Sequence, residues 1–375
     1  MVKKVVVAGV NARNVARSAR MAGFEVYSLA KYCDEDLKLF SKTFCFSEVT
    51  EEVLNSLIQT CQALDAPAVL STGFEYFFKE LRRKVDILGS FDTSCLDKLK
   101  FARKLERAGI VVPETRRWRD SEKPEGEWLI KPRFGGGGVG IRVEASRIAK
   151  NRTAKPSRER FGPSSGEIIL QKFVEGITAS TIVLSNGEEA ASVSVNALFS
   201  GWRLMNAEGF LYSGNLTPFD EWGLSGVSSE EVTRIAEEVA QLFDVVGCCG
   251  VDLVLGDEVY VLELNPRIPG SLDSFELSTG ENLFSMHMKA VNGKLPESPK
   301  FRRYALRAVY YAPCNLRAFV PSTSPFFADV PGWGEEFETS SPVVSIVSTG
   351  RSRGETLEKT LRRKELLESK FLSWV

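Results

Sequence analysis

The chain has 375 residues and a formal net charge of -1. That length allows two or three domains, each with its own core. The near-neutral balance supplies no global field toward nucleic acid or an anionic membrane, so neither is expected as a partner and recognition must be local. No apolar run is long enough to span a bilayer, and the N-terminus (MVKKVVVAGV) lacks the long hydrophobic core of a secretory signal, which predicts a soluble, cytoplasmic protein.

Residues 3–10 form a continuous apolar run that reads as a buried parallel strand. A helix over about 11–22 follows, ended by Gly23, then a strand at 24–29, an N-capped helix at 50–64 and a strand at 68–71. This alternation predicts an open α/β sheet. The turn after the first strand lacks GxGxxG, which argues against a dinucleotide there. Ligands of such sheets sit beyond the carboxyl ends of the strands, making Thr72, Gly73, Phe74 and Glu75 candidate substrate contacts.

A helix over 94–109, capped by Ser94, leads to the run WLIKPRFGGGGVGIRV at 128–143. There a strand delivers Lys131, and Gly135, Gly136, Gly137, Gly138 and Gly140 form a loop before a second strand. Consecutive glycines let backbone N–H groups approach an anion closely, as a phosphate-covering loop requires. The lysine precedes the glycines and no GK[ST] opens a helix, so this is not a Walker loop. Residues 146–166 are polar and basic and read as a mobile surface loop. An apolar strand at 167–176, a hairpin over 182–198 turned at Asn186-Gly187, and a helix opened by the Ser228/Glu231 capping box come next.

The most informative stretch is VDLVLGDEVYVLELNPR, residues 251–267. With Gly256-Asp257 as a two-residue turn, Asp252 falls opposite Val261, and the strand period of two puts Asp252, Glu263 and Asn265 on one face. Val251, Leu253, Leu255, Leu262 and Leu264 take the other. Two carboxylates and an amide are hard oxygen ligands suited to Mg²⁺, and Arg267, at the same parity, is placed to meet an anion beside the metal. After Pro296 come short strands and a charged helix from about Gly354, which suggest a small closing α+β unit. Seven cysteines without CxxC spacing suggest neither a disulfide framework nor a zinc site, and Cys248-Cys249 read as packing residues. The single histidine, His287, removes most Ser-His, Cys-His and multi-histidine metal designs.

Taken in order, these motifs resemble the ATP-grasp superfamily of ATP-dependent ligases over most of the chain. The resemblance implies an N-terminal open parallel-sheet domain (1–92), a lid subdomain with the glycine loop (93–175) and a catalytic α+β subdomain (176–375, closing segment 296–375). Asp97-Lys98 looks like the family's DK element, with Lys98 a phosphate contact. Lys131 matches the second nucleotide lysine, and Gly135 to Gly138 the phosphate lid. Gln171, Lys172, Phe173 and Val174 lie where members use an adenine-binding hinge, with glutamine replacing the usual glutamate, and the ribose contact is either Glu175 or Thr178. Asp252, Glu263 and Asn265 match the ligands of two Mg²⁺ ions, with Mn²⁺ able to substitute. Arg267 matches the arginine that holds the acyl phosphate, and Arg307 resembles a second substrate arginine of the biotin-carboxylase-like branch. Gly270 and Ser271 are implied in the pocket lining, as is the 212–215 segment. That branch's glutamate base is replaced by Ser271, which turns the expectation from bicarbonate to a carboxylate-amine ligase releasing ADP and phosphate. A carboxylase, a carboxylate-thiol ligase and a non-catalytic ATP-binding regulator are the alternatives. The partners implied are a small carboxylate and an amine, and dimers common among relatives add a homodimer.

Overall fold

The computed structural model describes residues 3–118, 125–144, 167–220 and 226–375. The basic stretch at 146–166 lies outside them. Strands β1 (Lys4–Gly9), β2 (Glu25–Ala30), β3 (Lys42–Cys45) and β4 (Ala68–Leu70) form a parallel sheet in the order β3-β2-β1-β4. Its central strands are almost wholly apolar because helices and loops cover both faces. The helix after β1 runs Arg13–Met21 and buries Val15, Ala16 and Ala19. Glu51–Leu64 forms the next helix, capped by Thr50 and closed by Asp65 in the left-handed conformation.

Strands β5 (Thr115–Arg117), β6 (Trp128–Pro132), β7 (Arg142–Glu144) and β8 (Ile168–Lys172) form an antiparallel sheet in the order β5-β8-β6-β7. Trp128, Ile130 and Leu170 give it a small core of its own. A sheet with so little buried apolar surface is held mainly by its ladders, which suits a flap. The helix before it, Lys98–Arg107, packs elsewhere: Phe101 and Leu105 join the core of the large sheet, and Phe101 stacks on Phe243 with centroids 5.1 Å apart. Asp97, not Ser94, caps this helix, accepting from the Leu99 and Lys100 amides at 3.2 and 3.3 Å. Ser94 sits in a 3-10 turn that Asp92 caps.

The remainder is organised on β9 (Ile177–Asn186), β10 (Ala190–Ser200), β11 (Tyr212–Thr217), β12 (Val246–Leu255), β13 (Val259–Asn265), β14 (Tyr304–Tyr311), β15 (Leu316–Ala318), β16 (Phe327–Ala328), β17 (Glu335–Phe337), β18 (Pro342–Gly350) and β19 (Leu372–Trp374). Eight of these make one sheet in the order β13-β12-β9-β10-β11-β14-β18-β16. The closing segment therefore extends the large sheet through β14, β18 and β16 instead of folding apart from it. Helices Ser229–Leu242 and Arg353–Lys370 cover one face of the sheet, and helices Leu272–Thr279 and Leu283–Val291 the other, where they meet the helix after β1. Cys248 and Cys249 point to opposite faces and into two different cores, as packing residues do.

One cysteine expectation is corrected. Cys33, after β2, and Cys45, at the end of β3, form a disulfide with Cα atoms 5.8 Å apart. No spacing rule links residues on adjacent parallel strands, so only the pairing of β2 with β3 brings these two together.

Candidate active site

The β12–β13 hairpin carries the acids, but its register differs from the simple expectation. Leu255 pairs with Val259, leaving a three-residue turn, and a bulge after Asp252 takes up Leu262. Each feature shifts the register by one residue, so together they preserve parity and bring Asp252 directly opposite Glu263, with Gly250 opposite Asn265. The bulge also exchanges two apolar residues. Val261 is buried at 1% exposure, whereas Leu262, expected in the core, is only partly buried.

On the acid face, Asn265 Nδ2 donates to Asp252 Oδ2 at 3.0 Å. Burial, then repulsion from Glu263, pushes the Asp252 carboxyl up to about 6. Two carboxylates forced together on neighbouring strands, one of them desolvated, form a site that a cation relieves. Lys98 supplies part of that relief, with its Nζ 3.4 Å from Glu263 Oε2. Among the described residues no group of three or more His, Cys, Asp or Glu is arranged to hold a metal, so the fit is to a cation content with two carboxylates and an amide. Mg²⁺, which completes its shell with water and phosphate oxygens, is such an ion.

The glycine flap lies directly over these acids. A Cβ on Gly136 would stand 3.6 Å from Glu263 Oε1, and one on Gly138 would overlap the Phe210 carbonyl at 1.7 Å. Gly138 also has φ +77, so only glycine fits there. Tyr212 N donates to Gly137 O at 3.1 Å, Gly135 N donates to the Tyr76 hydroxyl at 2.7 Å, and Lys98 donates to Gly135 O. Lys131, buried in β6, donates to Gln171 Oε1, while Gln171 Nε2 donates to Thr115 at 3.0 Å. Burial first, then the charge of Lys98, lowers the Lys131 ammonium to about 8. The glutamine that departs from the family pattern thus fixes the lysine in place.

Further along, Phe173 N donates to Glu127 O and Lys172 N to Glu114 O, both at 2.9 Å. Glu175 is exposed, and its carbonyl would lie 2.5 Å from a Cβ on Gly256, so the hinge segment rests on the hairpin turn. Thr178 donates its hydroxyl to Leu198 O at 2.9 Å.

Arg267 joins the two halves of the site. Its Nε lies 3.5 Å from Glu75 Oε1, across from the N-terminal sheet, and its NH2 donates to Asn265 Oδ1 at 3.2 Å. Burial raises the Glu75 carboxyl against the pull of Arg267, and its second oxygen has no hydrogen-bond partner. Gly73, with φ +91, turns the chain against Val10. Phe74 corrects the expectation of a substrate contact: it is fully buried against Phe46 and Phe77 in the N-terminal core. Ser271 is buried with its hydroxyl unpartnered, and a Cβ on Gly270 would stand 3.8 Å from the Tyr212 hydroxyl and 3.9 Å from Arg307 NH1.

Several residues here carried no signal in the sequence reading. Arg133 grips Asp97 through Nε and NH2 at 2.8 and 2.6 Å, tying the flap to the helix that presents Lys98. Its position two residues after Lys131 was the available hint. Arg13, Asp36, Asp273 and Asp329 form an ionic cluster around Arg307. Nothing local links four residues spread from 13 to 329.

A glycine-rich antiparallel flap closing over an acidic hairpin, beside an open parallel sheet, defines the ATP-grasp class of fold. Residues 95–271 match the ATP-grasp domain family model, so this segment carries an ATP-grasp domain. An uncharacterized protein of Methanocaldococcus jannaschii is 24% identical over 365 residues, covering 92% of this chain and 88% of its own length. The carbamoyl phosphate synthase large chain of Pyrococcus furiosus is 25% identical over 57% of this chain, which spans only 20% of it. In fold the chain resembles N5-carboxyaminoimidazole ribonucleotide synthetase from Thermotoga maritima, with a TM-score of 0.66, 16% identity and full coverage of both chains. It also resembles the biotin carboxylase domain dimer of Hydrogenobacter thermophilus 2-oxoglutarate carboxylase, solved with MgADP and bicarbonate, with a TM-score of 0.70, 16% identity and 100% and 91% coverage. Among the described residues no helix is long and apolar enough to cross a membrane.

Proposed function

We propose that this chain is an ATP-dependent, ADP-forming ligase that activates a small-molecule carboxylate as an acyl phosphate and joins it to an amine. The observation that carries this reading is Asp252 opposed to Glu263 beneath the glycine flap, with Lys98 at the start of the helix Lys98–Arg107 standing 3.4 Å from Glu263. Asp252, Glu263 and Asn265 would hold two Mg²⁺ ions, or Mn²⁺ in their place, which would supply charge neutralisation to the triphosphate. Lys98 and Lys131 bind the polyphosphate, and the backbone of Gly135 to Gly138 covers it and keeps water from the reactive acyl phosphate. The hinge from Lys172 to Val174 takes the adenine through backbone groups other than the Lys172 and Phe173 amides, which Glu114 O and Glu127 O engage. Because the Thr178 hydroxyl is engaged by Leu198, Glu175 is the better placed ribose contact. Arg267 holds the acyl phosphate beside the metal ligands, and Arg307 receives the substrate carboxylate through Gly270 and Ser271. No protonatable base is required at neutral pH, because phosphorylation activates the carbonyl and fixed charges hold it for the amine.

The domain division at 92 and 175 is part of the proposal; the helix Lys98–Arg107, on the lid side of the first boundary, packs into the core of the large sheet. A homodimer is part of the proposal. Measuring ADP release with a panel of amino acids and dicarboxylates, with and without amines, tests it. Magnesium-dependent ADP release that needs both partners supports the ligase; AMP in place of ADP, or no turnover at all, refutes it. Because a structural neighbour was solved with bicarbonate, bicarbonate belongs in the panel, and turnover with it alone would favour a carboxylase.

A further inference from the structure

Arg307 is buried at 7% exposure beside two carboxylates. Its NH2 donates to Asp329 Oδ2 at 2.6 Å, while its Nε stands 3.6 Å from Asp273 Oδ2 and has no hydrogen-bond partner. Left alone with these acids, the guanidinium would be captured by both, and its Nε–H would no longer be open to a substrate carboxylate. A second buried arginine prevents this. Arg13, 2% exposed, donates NH1 and NH2 to the two oxygens of Asp273 at 2.9 and 2.6 Å, and its Nε to Asp329 Oδ1 at 3.1 Å. The bidentate fork saturates Asp273 in one plane, which a lysine cannot do. Asp36 locks the other side. Its carboxylate accepts from the Asp329 and Val330 amides at 3.2 and 2.9 Å, holding Asp329 in a left-handed turn with φ 55.

We propose that Arg13 is a positioning residue for Arg307: by drawing Asp273 and Asp329 onto itself, it keeps Arg307 Nε–H uncommitted for an incoming substrate carboxylate. The carboxylate role of Arg307 rests on the proposed function; the competition between the two arginines for Asp273 does not. The helix after β1 thereby acts on a side chain on β14 through aspartates supplied by a second helix and by the segment after β16.

Guanidinium hydrogen exchange tests this without substrate. With ¹⁵N-arginine labelling and the Arg307 signal assigned by its loss in Arg307→Lys, Arg13→Lys is expected to slow Arg307 Nε–H exchange about tenfold as Asp273 swings onto it. The double variant Arg13→Lys/Asp273→Asn, which removes the capturing acid, is expected to return exchange to the wild-type rate, and it replaces the single variant if circular dichroism shows that Arg13→Lys does not fold. Unchanged exchange in Arg13→Lys, or slowed exchange that persists in the double variant, overturns the proposal. With the panel carboxylate giving most ADP release, Arg13→Lys is further expected to raise its KM about tenfold while leaving the KM for ATP unchanged, a split that general loosening of the fold does not produce. Altered exchange without panel turnover would break the ligase reading and leave the positioning intact.

Discussion

The acid hairpin and the Arg13–Arg307 cluster hold comparable charge but are built in opposite ways. In the hairpin, Asp252 and Glu263 face each other across one strand pair, and their opposition is visible as the raised Asp252 carboxyl. In the cluster, Asp273 is gripped by Arg13 through both oxygens, and the Asp329 carboxyl is held well below the ordinary range by Arg13 and Arg307 despite its burial. One site is left electrostatically incomplete, and the other is closed around Arg13, with Arg307 Nε–H left open. An incomplete site is what a ligand can complete, whereas a closed one fixes geometry.

Breaking the incomplete site should cost activity and nothing else. Glu263→Gln is expected to reduce magnesium-dependent ATP turnover by about a thousandfold or more, with a urea midpoint at or above that of wild type; undiminished ADP release would remove the basis of the assignment. Breaking the closed site should cost the fold. Arg13→Met leaves Asp273 and Asp329 buried without their main partner and is expected to destabilise by about 3–5 kcal/mol, read by urea denaturation. A loss within experimental scatter would mean the cluster is far wetter than its burial indicates.

His287 sharpens the contrast as a buried titratable group with no charged partner. Its Nδ1 accepts from Cys248 N at 2.9 Å, and burial lowers the imidazole to about 4. Since the folded value lies below the unfolded one, its contribution is fully present above about pH 6.5 and is lost as pH falls toward 4, about 3 kcal/mol in all. Asp36 and Asp252, both raised to about 6, act in the opposite sense over part of that window. The difference in pH slope between wild type and His287→Gln therefore isolates the term, and NMR titration of the one imidazole should give a midpoint near 4. A midpoint near 6.5 would refute it. The smallest effect is expected at Asp252→Asn. Relieving its repulsion with Glu263 should raise stability by about 1 kcal/mol while turnover collapses, and a thermal midpoint below wild type would contradict the strain inferred here.

How much of this was legible in the sequence depends on chain separation. The face carrying Asp252, Glu263 and Asn265 follows from alternation along two adjacent strands, and it survived a wrong turn length because the bulge at Leu262 restored the parity. The exchange of Val261 for Leu262 in the core was not legible, since a bulge leaves no fixed mark in composition. The helix expected over 94–109 begins only at Lys98, because Ser94 and Asp97 both qualify as caps and only the grip of Arg133 on Asp97 favours one. Phe74 illustrates the same limit: its place beyond a strand end pointed to the pocket, while packing against Phe46 and Phe77 turned it inward.

By itself, then, the sequence determined the elements whose cause is local: the parallel strands, the glycine flap with Lys131, and the acid face of the hairpin. Backbone periodicity and glycine's freedom act over a few residues and need no distant partner. Tertiary structure alone decided the closure of Lys98 onto Glu263, the Cys33–Cys45 bridge, and the pairing of Arg13 with acids some 260 and 316 residues away. Burial sets the worth of a charge, and burial exists only once the chain has folded on itself.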